Sequence, residues 1–334
     1  MTVASSGEVE RLRDMISAGW RTVLIHHGVM TGLFDALSDE PQEASVIAGK
    51  LGFDADTVLR VLRAYASISL VCHDPPSAFA ITPMGALLQS ANPANQRGHA
   101  VHWGGRTLDS IRTIDHTLRT GEPGRGNGNF AALNADTVNG QAFNRAMADQ
   151  SRPVARALAG VHDFSSYTCV MDVGGGYGGS LSEVLLANPG LSGAIYDLPA
   201  LEGGAMAYLA GAGVADRMRY IGGSFFENVA PAADCILLKF ILHDWSDPEC
   251  TTIMANCRAA LQPGNRLLLI ERIMPGQVTP AHEDVVRADM VMMPINGRER
   301  TLEEFASMAS VAGFRMGEVA PLADGCSVMV LEAR

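Results

Sequence analysis

The chain has 334 residues, 47% of them hydrophobic and 18% charged, with a formal net charge of −11. Those values describe an ordered globular protein of two or three domains and exclude an intrinsically disordered chain. No apolar run reaches the ~20 residues of a membrane span, and the acidic balance argues against nucleic acid as a partner, because phosphate binding needs a basic footprint.

The stretch Met1 to Glu10 has neither the basic nor the apolar region of a signal peptide. The six cysteines contain no C-x-x-C pair and read as reduced structural thiols of a cytoplasmic protein. Residues 11–37 carry an apolar period that predicts one long helix through Trp20, Leu24, Val29, Leu33, Phe34 and Leu37. Ala44 to Leu51 reads as a short helix, and Gly52-Phe53-Asp54 as a turn. Asp54 or Asp56 then caps a second helix through Val58, Leu59, Leu62 and Tyr65. Two short strands, 70–73 and 79–82, flank Asp74-Pro75-Pro76-Ser77. Helix, turn, helix and wing make a winged-helix unit. Its second helix carries only Arg60 and Arg63, which favours a packing or dimerisation role over DNA binding.

Residues 84–160 read as mostly helical, with a polar glycine-rich loop at 121–129 and a clear helix over 143–156. From Tyr167 apolar strands alternate with helices: strands at 169–173, 193–197, 218–222, 234–240 and 265–271, helices at 178–187, 200–211, 248–261 and 301–312, and two final strands near 314–320 and 326–332. This alternation predicts an α/β fold with a parallel sheet covered on both faces.

The strand at 169–173 runs into Gly174-Gly175-Gly176-Tyr177-Gly178-Gly179, which opens a helix. Glycines let the backbone turn sharply and approach a ligand, and free N–H groups at the helix start favour an anion. Gly174, Gly176 and Gly179 also satisfy the dinucleotide pattern G-x-G-x-x-G. Asp172 separates the two readings. A carboxylate there meets the ammonium of a bound amino acid, whereas beside a pyrophosphate it repels. Asp197 ends the next strand, where a carboxylate accepts both ribose hydroxyls. The ribose contact fits either cofactor, so it is Asp172 that favours S-adenosylmethionine over a nicotinamide dinucleotide.

The strand at 234–240 is apolar except for Lys239, one of only two lysines. It ends in Ile241-Leu242-His243-Asp244-Trp245, and Asp247-Pro248 starts a helix with Asp247 as its expected cap. His243 thus stands at the carboxyl end of a parallel strand, the ligand side of such sheets. A phenol with a pKa of ~10 is a poor nucleophile until it loses its proton, and a neutral imidazole held in one tautomer by a carboxylate is a natural base. Glu271 and Glu299 are the candidate partners.

Together these residues resemble the small-molecule O-methyltransferase family that includes the plant caffeic acid and flavonoid enzymes and many bacterial natural-product enzymes. The likeness rests on Asp172-Val173-Gly174-Gly175-Gly176, Tyr196-Asp197-Leu198-Pro199, Leu238-Lys239-Phe240-Ile241-Leu242-His243-Asp244-Trp245-Ser246-Asp247 and Glu271-Arg272-Ile273-Met274-Pro275, in order and spacing, and spans nearly the whole chain. The resemblance implies a Rossmann-like, doubly wound seven-stranded methyltransferase sheet behind a helical N-terminal domain. It divides the chain into a dimerisation domain at 1–105, a helical connector at 106–160 that reaches the acceptor pocket, and a catalytic domain at 161–334. It implies S-adenosylmethionine as methyl donor, S-adenosylhomocysteine as product, no metal, and a homodimer acting on an aromatic or polyketide-like hydroxyl. By the same resemblance Asp172, Gly174, Gly175, Gly176, Asp197, Leu198, Ser224, Phe225, Lys239, Phe240 and Trp245 hold the cofactor. His243 is the base, flanked by Glu271 and Glu299, while Phe143, Met147, Gln150, Asp244 and Met292 face the acceptor. Met290 and Met293 read as core packing.

Three residues or stretches depart from the family pattern. Ser224 stands where the family usually has Asp, so the adenine contact lacks charge assistance. Gln150 stands where some members carry an active-site His, and the loop at 121–129 is unusually polar. The competing readings are an N- or C-methyltransferase of the same fold, a ligand-sensing winged-helix regulator, and a nicotinamide-dependent oxidoreductase.

Overall fold

Residues 5–92, 95–125, 137–231 and 233–334 are described by the computed structural model, which divides into two units, Met1–Leu108 and Asp109–Arg334. Residues 126–129 of the expected loop at 121–129 lie outside the described residues.

In the first unit the single helix expected over 11–37 is two, Ser6–Ser17 and Gly19–Met30. The Ser17 hydroxyl bonds back to the carbonyls of Arg13 and Asp14, a competition with the helical ladder that favours a break, and the chain turns at Ala18. Leu33, Phe34 and Leu37 still enter the core, beside Ile47, Leu62, Tyr65 and Phe79. The helix Ala44–Leu51 ends at Gly52, and Asp54, not Asp56, caps Ala55–Ser67 by accepting from the Thr57 amide at 2.8 Å. The wing strands are β2 (Val71–Asp74) and β3 (Ala78–Ile81), joined by β1 (Gln42–Glu43) in the order β1-β3-β2. At two residues, β1 is too short to show an alternation in sequence.

The second unit carries the helix Ile114–Thr120 and then the long helix Thr137–Val161, and builds one sheet from β4 (Cys169–Val173), β5 (Ser192–Asp197), β6 (Met218–Gly222), β7 (Cys235–Lys239), β8 (Arg266–Arg272), β9 (Phe314–Pro321) and β10 (Cys326–Ala333). The order is β6-β5-β4-β7-β8-β10-β9. The first five strands run parallel, whereas β10 is antiparallel to both β8 and β9. The link from β9 to β10 is too short for a parallel crossover, so these two form a hairpin. Met171, Ile236, Leu238, Leu267 and Leu269 pack on one face with Ile253 and Phe305, and Val170, Leu237, Leu268 and Ile270 on the other with Leu158, Leu181 and Leu209. Burial on both faces accounts for the nearly unbroken apolar runs of the central strands. The helix Glu283–Met292, which fully buries none of its residues, has no counterpart in the sequence reading. Among the described residues no helix is long and apolar enough to cross a membrane.

Candidate active site

β4 ends in the glycine loop. Gly174, Gly176 and Gly178 hold φ of +72°, +55° and +82°, the left-handed region that glycine enters without strain. A Cβ at Gly174 would stand 2.4 Å from Ile241 Cδ1, so the loop backbone lies directly on the chain after β7. The Gly174 amide donates to the Tyr196 carbonyl at 2.8 Å. Asp197, at the end of the neighbouring β5, closes the loop from the side: Oδ2 accepts from the Gly176 amide at 2.8 Å and Oδ1 from the Leu198 amide at 2.7 Å. Burial raises its pKa against those two bonds.

Asp172 is buried, its carboxyl so close to Gly175 that a Cβ there would sit 2.8 Å from Asp172 Cγ. Burial pushes its pKa up to about 7; Lys239 opposes the rise and Asp197 adds to it. A carboxylate held this way gains from a cation beside it. On the far side of β5, Gly223 follows β6 and lies against the Tyr196 ring. Ser224 Oγ accepts only a long bond from the Phe226 amide, at 3.4 Å. The Phe225 carbonyl is fixed by Asn256 Nδ2 at 2.8 Å. The Phe225 and Phe226 rings meet Trp245 edge to face, with centroids 6.0 and 4.7 Å apart, so Trp245 backs this segment.

Beyond β7 the chain passes through Phe240, at φ +53°, into a short turn, Leu242–Asp244. That turn buries His243, which is 8% exposed. His243 Nδ1 lies 3.0 Å from Glu299 Oε1 and 3.8 Å from Glu271 Oε2, and Nε2 lies 3.7 Å from Asp244 Oδ1. Glu299 is therefore the direct partner of the imidazole. Glu271 Oε1 instead accepts from the amides of Ile241 and Leu242, at 3.2 and 2.9 Å, and so fixes the turn. Burial disfavours the imidazolium, but the charges of Glu271, Asp244 and Glu299 and the Glu299 hydrogen bond outweigh it. The His243 pKa is held up at about 9. Burial raises Glu271 while His243 opposes the rise, and burial raises Asp244 to about 6 against the same imidazole.

The sequence reading missed the residues that hold this geometry. Ser246, not Asp247, caps the helix Asp247–Ala260, with Glu249 completing the capping box. Serine presents its hydroxyl to the helix amides, which leaves the Asp247 carboxylate to accept from Arg298 and Arg300. Arg300 is fully buried and also donates to the carbonyls of Leu242 and Trp245, each at 2.7 Å. The Arg298 amide donates to the His243 carbonyl at 2.9 Å, and the Glu299 amide to Asp289 at 2.8 Å. In the extended run 298–300 the two arginines thus face Asp247 while Glu299 faces His243. The signal in sequence was the alternation Arg-Glu-Arg itself, which also describes an ordinary solvated strand.

Phe143, Met147 and Gln150 follow helical spacing on Thr137–Val161 and are partly buried. Next to them, Ser151 Oγ accepts from Lys239 Nζ at 3.0 Å. Burial draws the Lys239 pKa down to about 8, against Cys326, Asp172 and Glu271. Met292 ends the helix Glu283–Met292, the one that supplies Asp289 to the Glu299 amide.

Residues 118–315 match the O-methyltransferase domain family. The chain is 33% identical to a phenazine O-methyltransferase, PhzM, of Lysobacter antibioticus, over 97% of this chain and 95% of that one. Its fold superposes on the crystal structure of LaPhzM with a TM-score of 0.91 at 32% identity, covering 98% and 99% of the two chains. It also superposes on NcsB1, an O-methyltransferase from neocarzinostatin biosynthesis solved with S-adenosylmethionine and 2-hydroxy-5-methyl naphthoic acid, with a TM-score of 0.80 at 26% identity over 94% and 96%. The chain belongs to the O-methyltransferase domain family.

Proposed function

We propose that this O-methyltransferase moves a methyl group from S-adenosylmethionine to a hydroxyl on an aromatic small molecule of secondary metabolism, with His243 as the general base. The observation that carries the assignment is the buried His243 imidazole, Nδ1 held 3.0 Å from Glu299, at the carboxyl end of β7 beside the glycine loop.

The residues fit the cofactor. Gly174, Gly175 and Gly176 give a backbone cradle in which a Cβ at Gly174 or Gly175 would meet a neighbour under 3.0 Å away. Asp172 would take the ammonium and Asp197 the ribose hydroxyls through lone pairs its two amide bonds leave unused. Ser224 and Phe225 would meet the adenine, with Leu198, Lys239, Phe240 and Trp245 completing the wall. When bound, S-adenosylmethionine supplies a methyl group already activated on a sulfonium.

The acceptor hydroxyl gives its proton to His243 Nε2 as its oxygen takes the methyl group. Glu299 holds the Nδ1–H tautomer and offsets the positive charge that develops on the ring. Glu271 keeps the turn in place, and Asp244, near Nε2, faces the acceptor. Phe143, Met147, Gln150 and Met292 form the wall against its ring, where methionines adapt to flat surfaces.

Incubation with methyl-labelled S-adenosylmethionine and a panel of phenols is expected to place the label on a phenolic oxygen. His243→Ala is expected to slow single-turnover transfer by ~100-fold or more, with the affinity for S-adenosylhomocysteine unchanged. A loss below about tenfold overturns the base, and a label on nitrogen or carbon overturns the acceptor class.

We also infer a homodimer working in the cytoplasm, paired through residues 1–105, with residues 106–160 reaching the acceptor pocket. The helix Ser6–Ser17 buries none of its residues and leaves Leu12, Met15 and Ile16 exposed, and all six cysteines are free thiols. Sedimentation equilibrium that returned a monomer at micromolar concentration would overturn the dimer.

A further inference from the structure

Around Phe240 the carboxyl ends of β7 and β8 bring Lys239, Arg272 and His243 together on one aromatic ring. Lys239 Nζ stands 3.9 Å from the centre of the Phe240 ring and Arg272 Cζ 4.6 Å from it. The His243 imidazole lies on the same ring, centroids 5.1 Å apart and planes 17° from parallel. Lys239 has a partner, the Ser151 hydroxyl. Arg272 differs: its Nε is buried with no hydrogen-bond partner among the described residues, and the guanidinium makes no ion pair there. Gln150 Nε2, one residue from Ser151, is likewise buried without a partner. Buried donors left unpaired are rare and costly, more so when charged. Phe240 reaches this position by holding φ at +53°, uncommon for a bulky residue and found where neighbouring structure imposes it. Alternation along β8 explains the arrangement: Glu271 points to the His243 face and Arg272 to the opposite one.

We infer that Arg272 is the recognition point for a ligand carboxylate. A planar guanidinium matches a carboxylate in two parallel hydrogen bonds, and the Phe240 ring holds the fork by its face. The inference rests on the methyl-transfer reading for its two sources of such a group: the acceptor, whose ring would reach His243 across Phe240, or the methionyl end of the cofactor.

Calorimetric titration of the full chain separates them. One arm compares 1-hydroxy-2-naphthoate with 1-naphthol on protein saturated with S-adenosylhomocysteine; the other titrates S-adenosylhomocysteine itself. For an acceptor carboxylate, the naphthoate binds the wild type about tenfold more tightly than the naphthol. Arg272→Met then removes that advantage and leaves S-adenosylhomocysteine affinity within twofold. For a cofactor carboxylate, Arg272→Met weakens S-adenosylhomocysteine about tenfold and the wild type prefers neither naphthalene. Arg272→Lys, which keeps the charge and loses the fork, is expected to fall between the two in whichever arm responds, and serves in place of Arg272→Met if that variant misfolds. Both arms unchanged within twofold overturn the inference. A wild type that does not bind S-adenosylhomocysteine at all overturns the methyl-transfer reading, and the naphthoate arm then reads Arg272 on unliganded protein.

Discussion

Asp247 Oδ1 accepts from both Nε and Nη2 of Arg300, at 3.0 and 2.8 Å, while Oδ2 accepts from Arg298 Nη2 at 2.9 Å. Glu299 lies between those arginines in sequence, and His243 lies four residues before Asp247. The clasp therefore registers the loop that carries the imidazole against the loop that carries its carboxylate.

Asp247→Ala leaves the fully buried Arg300 guanidinium short of its counter-charge. The Asp247 side chain is half exposed, so solvent screens the pair, and its removal is expected to cost about 1 to 2 kcal/mol, read from the urea unfolding midpoint. At temperatures where the variant is folded, kcat is expected to fall about tenfold, with KM for S-adenosylmethionine nearly constant. An unchanged kcat would show that the clasp stabilises the fold without setting the His243–Glu299 geometry.

The pH dependence follows from the same cluster. Only the neutral imidazole is a base, and the surrounding carboxylates hold the His243 pKa at about 9 instead of 6.5. Because kcat/KM reports the free enzyme, it is expected to rise with pH through the neutral range and level only near 9. Glu271→Gln removes one of the charges that raise the imidazole and still offers an oxygen to the Ile241 and Leu242 amides, so the acid limb moves to lower pH. A wild-type limb centred at 6.5, or one that stays in place in Glu271→Gln, counts against this account.

At the segment proposed to meet the adenine, Ser224 offers only a neutral hydroxyl. A charged acceptor roughly doubles the strength of such a hydrogen bond. Ser224→Asp is expected to tighten S-adenosylmethionine binding about fivefold by calorimetry. Weaker binding would show that the adenine is held elsewhere.

Gly174→Ala puts a Cβ on a residue at φ +72° and 2.4 Å from Ile241 Cδ1. The left-handed backbone alone costs about 1 kcal/mol for alanine, and the clash pushes the loop off the chain after β7. S-adenosylhomocysteine affinity is expected to drop at least tenfold. Gly190→Ala, where a Cβ meets nothing within 4 Å, should leave it unchanged.

Periodicity and strand-end position carried the reading of the catalytic unit a long way. The central strands announced themselves because burial on both faces leaves unbroken apolar runs. Asp172, Asp197, His243, Glu271 and Glu299 stood out as candidates because each lies at or just past a strand end or inside a distinctive short motif. What stayed hidden depends on contacts far apart in the chain. Nothing local marks Arg300 as buried, since its acceptors, Leu242, Trp245 and Asp247, lie more than fifty residues upstream. Asp247 resembled a helix cap until Ser246 was found in that place. The helix Glu283–Met292 fully buries none of its residues, and the break after Ser17 comes with a hydroxyl that a search for apolar spacing does not weigh.

Asp197 has a consequence beyond the ribose contact proposed for it. One carboxylate spans two elements: it holds the Gly176 amide of the glycine turn and the Leu198 amide after β5. The shape of the turn is thus tied to a single side chain, and exchanging it would slacken the turn and strip away the proposed ribose contact in one step.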